Sequence, residues 1–209
     1  MRPPPLRRPH IISLKPRLLW RVHAARYAAT QCNDSGRGSA RFSPLFNATG
    51  NPIPTLYLAS SFDGAVMETV FHDVPTPPDN YHLDTEILQS ERMVVSTMRP
   101  TAPIRLVDLS SKGLKRLGYH RSQVIDSSAR AYSDTRKIAQ ALYDDTKAQG
   151  LCWTSRQDDE AQAIMLFGDR VGKRALRVIA GSQPLLGDPH YENLILLADR
   201  IGITKITEG

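Results

Sequence analysis

The order of the apolar segments is the feature that most restricts the fold of this chain. Strand-like runs follow one another directly, as in "RMVVSTMR" (92–99) and "IRLVDLS" (104–110). Elsewhere, apolar residues recur at helical spacing and predict helices over 132–150 and 188–202. Further strands are predicted at 18–27, 55–60, 151–155, 163–168 and 175–181, and a further helix at 61–72. Because this order is not a regular βαβ repeat, the sequence predicts an α+β fold.

Length and charge distribution predict one domain behind a basic tail. A chain of 209 residues with 41% hydrophobic residues can bury a single core. The Pro- and Arg-rich segment 1–17 carries five of the six net positive charges, which leaves about +1 for residues 18–209. We therefore predict a tail over 1–17 and a domain over 18–209. The domain has no charge excess of the kind that marks a nucleic-acid-binding face.

Several classes of protein are disfavoured. Segment 1–17 lacks the apolar region of a secretion signal, and no run approaches the roughly 18 apolar residues of a membrane span. Cys32 and Cys152 are too few for a disulfide framework and lack metal-ligand spacing. The six histidines form no paired-ligand motif. The sequence thus predicts a cytoplasmic protein without a metal cofactor.

The loop "SGRGSARFSP" (35–44) has two interpretations. Its two glycines precede Arg41, where a dinucleotide-binding fingerprint has a third glycine, and Pro44 follows instead of a helix. The first interpretation is a flexible loop with a surface arginine. In the second, the glycines let the backbone approach a phosphate group, whose oxygens Arg41 binds in a bidentate way.

Four other residues also have both a structural and a functional interpretation. Arg21 lies inside the apolar run "LLWRVH", so its side chain either reaches solvent at a sheet edge or faces a cleft. Glu68, on the helix after 55–60, is either on a solvated face or beside a cation. Tyr57 is either a core residue or a stacking surface. Ser133 is fully explained as a helix N-cap.

Taken together, these segments resemble the RES family, the toxin components of bacterial toxin–antitoxin pairs whose partner is an Xre-type DNA-binding antitoxin. The family pattern is an aromatic-Arg pair, a Gly-x-Arg-aromatic segment, Tyr-Leu-Ala, an acidic residue on the next helix, and a serine at the head of a later helix. The matching positions are Trp20-Arg21, Arg41-Phe42, Tyr57-Leu58-Ala59, Glu68 and Ser133. The resemblance spans about 18–170. Val22 and "RFSP" depart from commoner family residues, which bears on substrate preference more than on the fold.

The resemblance implies an ADP-ribosyltransferase-like fold, with split central β-sheets and flanking helices, and an enzyme that consumes NAD as a substrate without metal. The arginines would bind the pyrophosphate, the tyrosine would stack on nicotinamide, and the glutamate would stabilise positive charge on the ribose. In this interpretation the catalytic residues are Glu68, Arg21 and Ser133, and the NAD-binding residues are Arg21, Arg41, Phe42, Tyr57 and Ser133.

Three functions are compatible with the resemblance. We favour a toxin that cleaves the nicotinamide–ribose bond of NAD by hydrolysis or phosphorolysis. A protein ADP-ribosyltransferase is less favoured because "QDDEAQ" lacks an E-x-E motif, and a non-enzymatic regulator is less favoured because Arg21 and Glu68 are both present. The expected partners are NAD and an Xre-type antitoxin, without direct nucleic-acid or membrane contact. A homodimer of the toxin within that complex is compatible with the resemblance.

Overall fold

The computed structural model describes residues 8–72, 82–203 and 205–207. The strands are β1 (Ile11–Leu14), β2 (Leu19–Ala24), β3 (Thr55–Ala59), β4 (His82–Asp84), β5 (Met93–Pro100), β6 (Ile104–Asp108), β7 (Gly150–Thr154), β8 (Gln162–Phe167), β9 (Leu176–Pro184) and β10 (Lys205–Thr207). The helices are α1 (Phe62–Met67), α2 (Thr85–Ser90), α3 (Ser111–Leu117), α4 (Arg121–Val124), α5 (Tyr132–Asp145) and α6 (His190–Arg200), with a 3₁₀ turn at Ala129–Ala131. The three prolines within 74–80 predict a break after the helix at 61–72, and this segment lies outside the described residues.

Eight strands form one curled sheet in the order β1-β6-β7-β8-β3-β2-β5-β9, and β4 and β10 form a second, two-stranded sheet. Within the large sheet, neighbours are antiparallel except for the parallel pair β6–β7. This mixed sheet with flanking helices confirms the predicted single α+β domain. Within the described ranges, no helix is both long enough and apolar enough to cross a membrane.

The two central strands separate from each other. β2 and β3 pair at Trp20 and Ala59, whereas β2 pairs with β5 along 19–24 and β3 pairs with β8 along 55–59. Because each strand stays with its outer neighbour, a gap opens between β2 and β3. The predicted split of the central sheet corresponds to this gap.

Two groups of helices cover the same face of the sheet. Helices α3 and α5 pack on the β7–β8 side, where Leu114 and Leu142 join a buried cluster around Trp153. Helices α1 and α6 pack on the β2–β5 side, where Val66 and Leu197 join a second buried cluster. Tyr57 and Ala59, which alternate onto one face of β3, contact the first and the second cluster respectively. The gap between β2 and β3 therefore lies where the two helical layers meet.

Strand β1 consists of residues predicted to lie in the tail. Ile11 pairs opposite Val107 of β6, and Leu14 is buried in a third apolar cluster on the opposite side of the sheet. Hence the sheet begins before residue 18, and the N-terminal segment contributes to the core.

We expect deletion of residues 2–14 to lower the free energy of unfolding by about 1.5–3 kcal/mol, the contribution of burying one leucine side chain. The deletion removes Leu14 together with the strand that covers the edge of β6. Deletion of residues 2–7, which stops before the strand, is the control. Urea denaturation of both variants measures the effect, and equal stability of the two would contradict a structural role for β1.

Candidate active site

A cleft of about 470 Å³ opens where β2 and β3 separate. Its walls come from both strands, from α1, from residues of the loop before β3 and from Tyr132 at the start of α5. This volume is typical of small-molecule sites, which span roughly 300–1,000 Å³. Among the described lining residues, the charged side chains are Arg21, Arg41 and Glu68. The structure therefore brings together three of the predicted site residues, and Tyr57 lines the same cleft.

Arg21 is a partly buried cation that has no carboxylate partner among the described residues. Its Nη1 donates hydrogen bonds to the carbonyl oxygens of Ala28 (2.9 Å) and Ala29 (2.8 Å), where the chain turns back after β2. Burial lowers the pKa of Arg21 to about 10, so the side chain remains protonated at neutral pH. Its Nε and Nη2 have no partner among the described residues and are open to solvent.

Arg41 is held in a similar way from the loop before β3, and only 9% of it is exposed. Its Nη1 donates to the carbonyl oxygens of Val124 (3.0 Å) and Ser127 (3.0 Å) and to Ser127 Oγ (2.8 Å). The guanidinium carbon lies 5.0 Å from the ring centre of Tyr132. Burial lowers the pKa of Arg41. Its Nε and Nη2 have no hydrogen-bond partner among the described residues and are not completely buried.

Two partly desolvated guanidinium groups therefore line one cleft, and neither has a carboxylate within 4.0 Å among the described residues. A buried cation without a counter-ion is costly, and carbonyl oxygens offset only part of that cost. The open donors of both groups are suited to the oxygens of an anionic ligand such as phosphate.

The position of Glu68 follows from the geometry of α1. Ser61 is the N-cap of this helix, and its hydroxyl accepts a hydrogen bond from the Gly64 N–H at 3.0 Å. Gly64 lies so close to the start of β8 that a Cβ atom there would be 2.4 Å from the Cβ of Ala161. This close approach holds α1 against the sheet, so that the helix ends at its C-cap, Glu68, on the wall of the cleft.

A buried serine orients the Glu68 carboxyl group. Ser155, at the end of β7, donates from its Oγ to Oε1 of Glu68 at 2.6 Å. The same Oγ accepts hydrogen bonds from the N–H groups of Gln157 (2.9 Å) and Asp158 (3.2 Å). These two donors occupy the acceptor positions of the hydroxyl, so its single proton points to Glu68. Glu68 Oε2 has no partner among the described residues.

Tyr57 forms part of the aromatic lining of the cleft. Its hydroxyl lies 3.0 Å from Ser43 Oγ, and its ring meets that of Trp153 edge-on with 6.4 Å between centroids. Burial raises the pKa of Tyr57 to about 12, so the phenol is neutral at physiological pH. Trp20, Tyr132 and His72 also line the cleft and were not predicted. The predicted stacking role of Tyr57 stays a prediction.

Two predicted site residues do not contact the cleft. Phe42 has no exposed surface and packs edge-on against Trp153 at 5.0 Å between centroids, so it lies in the core behind the cleft. Ser133 is exposed and is not the N-cap of α5, because the 3₁₀ turn leads directly into a helix capped by Ala131. This start places Tyr132 against the cleft and Ser133 in solvent. The structure therefore does not place Phe42 and Ser133 in the lining of the cleft, and their predicted roles in ligand binding and, for Ser133, in catalysis stay predictions.

Ser155 is a further residue of the site that was not predicted from the sequence. It is completely buried although it follows a strand and precedes an acidic turn. The only signal is its place directly after the apolar run "LCWT", where a side chain at a strand end can meet a neighbouring helix.

Within the described ranges, no group of three or more His, Cys, Asp or Glu side chains is arranged to hold a metal ion.

We expect Ser155→Ala to lower kcat about tenfold. The substitution removes one hydrogen bond to the charged Glu68 carboxylate, and the less well oriented carboxylate stabilises the transition state by about 1.5 kcal/mol less. The variant also leaves two backbone N–H groups without their acceptor, so thermal stability must be measured alongside. A double-mutant cycle with Glu68→Gln separates the two effects. If Ser155 acts through Glu68, Ser155→Ala changes kcat little in the Glu68→Gln background, whereas a fully additive loss would contradict this role.

The chain is the predicted single mixed α/β domain with a curled eight-stranded sheet and flanking helices, and the separation of β2 from β3 opens onto the cleft. The sequence matches the RES domain family over residues 18–186, and the chain belongs to that family. A similar solved structure is a chain in the crystal structure of the M. tuberculosis MbcT-MbcA toxin-antitoxin complex. The similarity covers 82% of this chain and 87% of that chain, with 14% identity and a TM-score of 0.60. At this identity the likeness shows a shared fold. No curated protein matches the chain.

Proposed function

We propose that this protein cleaves the bond between nicotinamide and ribose in NAD. The observation that carries this proposal is the combination, in one cleft, of two partly buried arginines without carboxylate partners and a single oriented carboxylate, Glu68. A dinucleotide supplies a negatively charged pyrophosphate for the arginines and a ribose for the carboxylate. Membership of the RES family supports the same ligand.

In the proposed complex, the open donors of Arg21 and Arg41 bind the pyrophosphate oxygens, and Tyr57 stacks on the nicotinamide ring. The reaction breaks the bond between C1′ of the ribose and the ring nitrogen. The bonding electron pair stays on the nitrogen, so nicotinamide leaves as a neutral molecule while positive charge grows on the ribose, as in glycoside hydrolysis. The Glu68 carboxylate, held by Ser155, stabilises that charge. Water or phosphate then adds at C1′ and releases a proton.

Incubation of the purified protein with NAD, with and without inorganic phosphate, tests this proposal. We expect nicotinamide to be released in proportion to NAD consumed. The second product identifies the acceptor: ADP-ribose indicates water, and a phosphorylated ADP-ribose indicates phosphate. Modification of added protein in place of both products would favour a protein ADP-ribosyltransferase. A folded protein that leaves NAD intact under all these conditions would contradict an NAD-consuming enzyme.

We further propose that the protein is the toxin of a cytoplasmic toxin–antitoxin pair and that an Xre-type antitoxin covers the cleft. This proposal is supported by the RES family match and by the fold shared with a chain of a toxin–antitoxin complex. Expression of the chain alone should arrest bacterial growth, and co-expression of the antitoxin encoded beside it should restore growth. Harmless expression of intact, NAD-cleaving protein would contradict the toxin function.

A further inference from the structure

Two arginines from distant parts of the chain donate to one carbonyl oxygen beside the cleft. The oxygen belongs to Ser127, in the turn that follows α4. Arg41 Nη1 lies 3.0 Å from it, and Nη1 of Arg156, the residue after Ser155, lies 3.2 Å from it. Two guanidinium groups of the same charge are thereby held next to each other, which is unfavourable unless an anion lies between them.

The acidic residues nearby do not supply that anion. Asp126 accepts from Arg121 at 3.0 Å, and Arg121 also donates to the carbonyl oxygen of Ser155 at 2.8 Å. Within the described part of the chain, Arg41 and Arg156 have no carboxylate within 4.0 Å. Burial lowers the pKa of Arg41; the charge of Glu68 acts in the opposite direction, and the charge of Arg156 lowers the pKa further. Among the described residues, the pair therefore has no carboxylate in contact with it.

Each arginine of the pair is held in place by its own contacts, and these contacts leave some of its N–H groups unpaired. Arg41 is fixed by Val124 and Ser127 through Nη1, which leaves its Nε and Nη2 without a hydrogen-bond partner among the described residues. Arg156 is exposed, and its Nε and Nη2 have no partner among the described residues. Its backbone is fixed by its neighbour Ser155, whose hydroxyl holds Glu68. Two neighbouring guanidinium groups with free N–H donors are suited to bind a phosphate group, because phosphate has several acceptor oxygens.

We propose that Arg41 and Arg156 form a phosphate-binding subsite beside the turn 124–127. Its ligand is a phosphate group, which comes either from the dinucleotide or from free inorganic phosphate that accepts the ribosyl group. If its ligand comes from the dinucleotide, Arg156 joins Arg21 and Arg41 at the pyrophosphate; if its ligand is free phosphate, the pyrophosphate is left to Arg21. The assignment of the phosphate group to one of these sources rests on the proposed NAD cleavage. The binding of a phosphate group by Arg41 and Arg156 is independent of that proposal.

Calorimetric titration of the full chain with ADP-ribose and with inorganic phosphate tests the subsite. We expect Arg156→Gln to weaken binding of one of the two ligands about tenfold and Arg156→Lys to weaken it less, because lysine keeps the charge but not the fork. Arg130→Gln is the matched control: Arg130 is an exposed arginine three residues from Ser127, and we expect a change of less than about twofold from its long-range charge alone.

The ligand affected identifies the source. A weaker affinity for ADP-ribose assigns the subsite to the dinucleotide, and a weaker affinity for inorganic phosphate assigns it to the free anion. Unchanged affinity for both ligands in Arg156→Gln, or an equal loss in Arg130→Gln, would overturn the subsite. Phosphate binding that depends on Arg156 in a protein inactive towards NAD would contradict the proposed reaction and leave the subsite standing.

Discussion

Replacement of Glu68 by glutamine is expected to lower kcat for nicotinamide release by a factor on the order of 10²–10³, the effect of removing one preorganised electrostatic group. Glutamine has nearly the same shape and keeps an oxygen that can accept the Ser155 hydrogen bond, so the cleft should stay intact. Only the negative charge is lost. Because this charge interacts mainly with the positive ribose that develops during bond breaking, the affinity for NAD should change little.

Asp63→Asn is the matched control for this prediction. Asp63 lies on the same helix, and its carboxylate contacts Arg200 at 2.9 Å at the surface. Its replacement removes the same charge at a cost of up to about 1 kcal/mol in stability and should leave kcat unchanged. If the Glu68→Gln variant instead lost both stability against unfolding and affinity for NAD, the role of Glu68 would be to maintain the structure of the cleft. Normal turnover in a well-folded Glu68→Gln variant would exclude the residue from the mechanism.

The part of the site that could be predicted from the sequence consists of residues whose chemistry conflicts with their surroundings. Arg21 stands in an apolar strand and Arg41 follows two glycines in a loop, and both side chains line the cleft. Phe42, in contrast, shares the segment of Arg41 but follows the ordinary rule for a large aromatic residue and is buried. Its proximity in sequence to Arg41 therefore does not place Phe42 in the lining of the cleft.

Misassigned residues reflect contacts between elements that are distant in sequence. Ser133 was interpreted as a helix cap, although the preceding 3₁₀ turn leads into α5 so that its N-cap is Ala131, two residues earlier. Gly150 was interpreted as the end of that helix, yet the helix ends at Asp145 and Gly150 begins β7. A Cβ at Gly150 would lie 2.2 Å from the carbonyl oxygen of Met165, so the glycine is required by strand packing. The local sequence pattern does not show that position 150 requires glycine, because this requirement arises from the pairing of β7 with β8.

Arg41→Lys is expected to weaken NAD binding about 10- to 150-fold, which corresponds to the loss of about 1.5–3 kcal/mol for hydrogen bonds to a charged group. A lysine ammonium can still donate to the carbonyl oxygens of Val124 and Ser127 that anchor Nη1. It cannot replace the Nε and Nη2 donors that are open to the cleft. The substitution therefore removes the ligand-binding half of the side chain and keeps its charge. Titration in the Glu68→Gln background measures binding without turnover.

Arg170→Lys is the counterpart that separates binding from structure. Arg170 is also held by carbonyl oxygens, but both of its Nη atoms are occupied, Nη1 by Thr146 (2.9 Å) and Ala148 (3.0 Å) and Nη2 by Tyr143 (2.7 Å). One ammonium cannot reach both sides, so this variant should lose about 1–3 kcal/mol of stability and no NAD affinity. Arg41→Lys should show the reverse. Unchanged NAD affinity in a folded Arg41→Lys variant would make residues 35–44 an ordinary loop, because the open donors of Arg41 would then have no ligand.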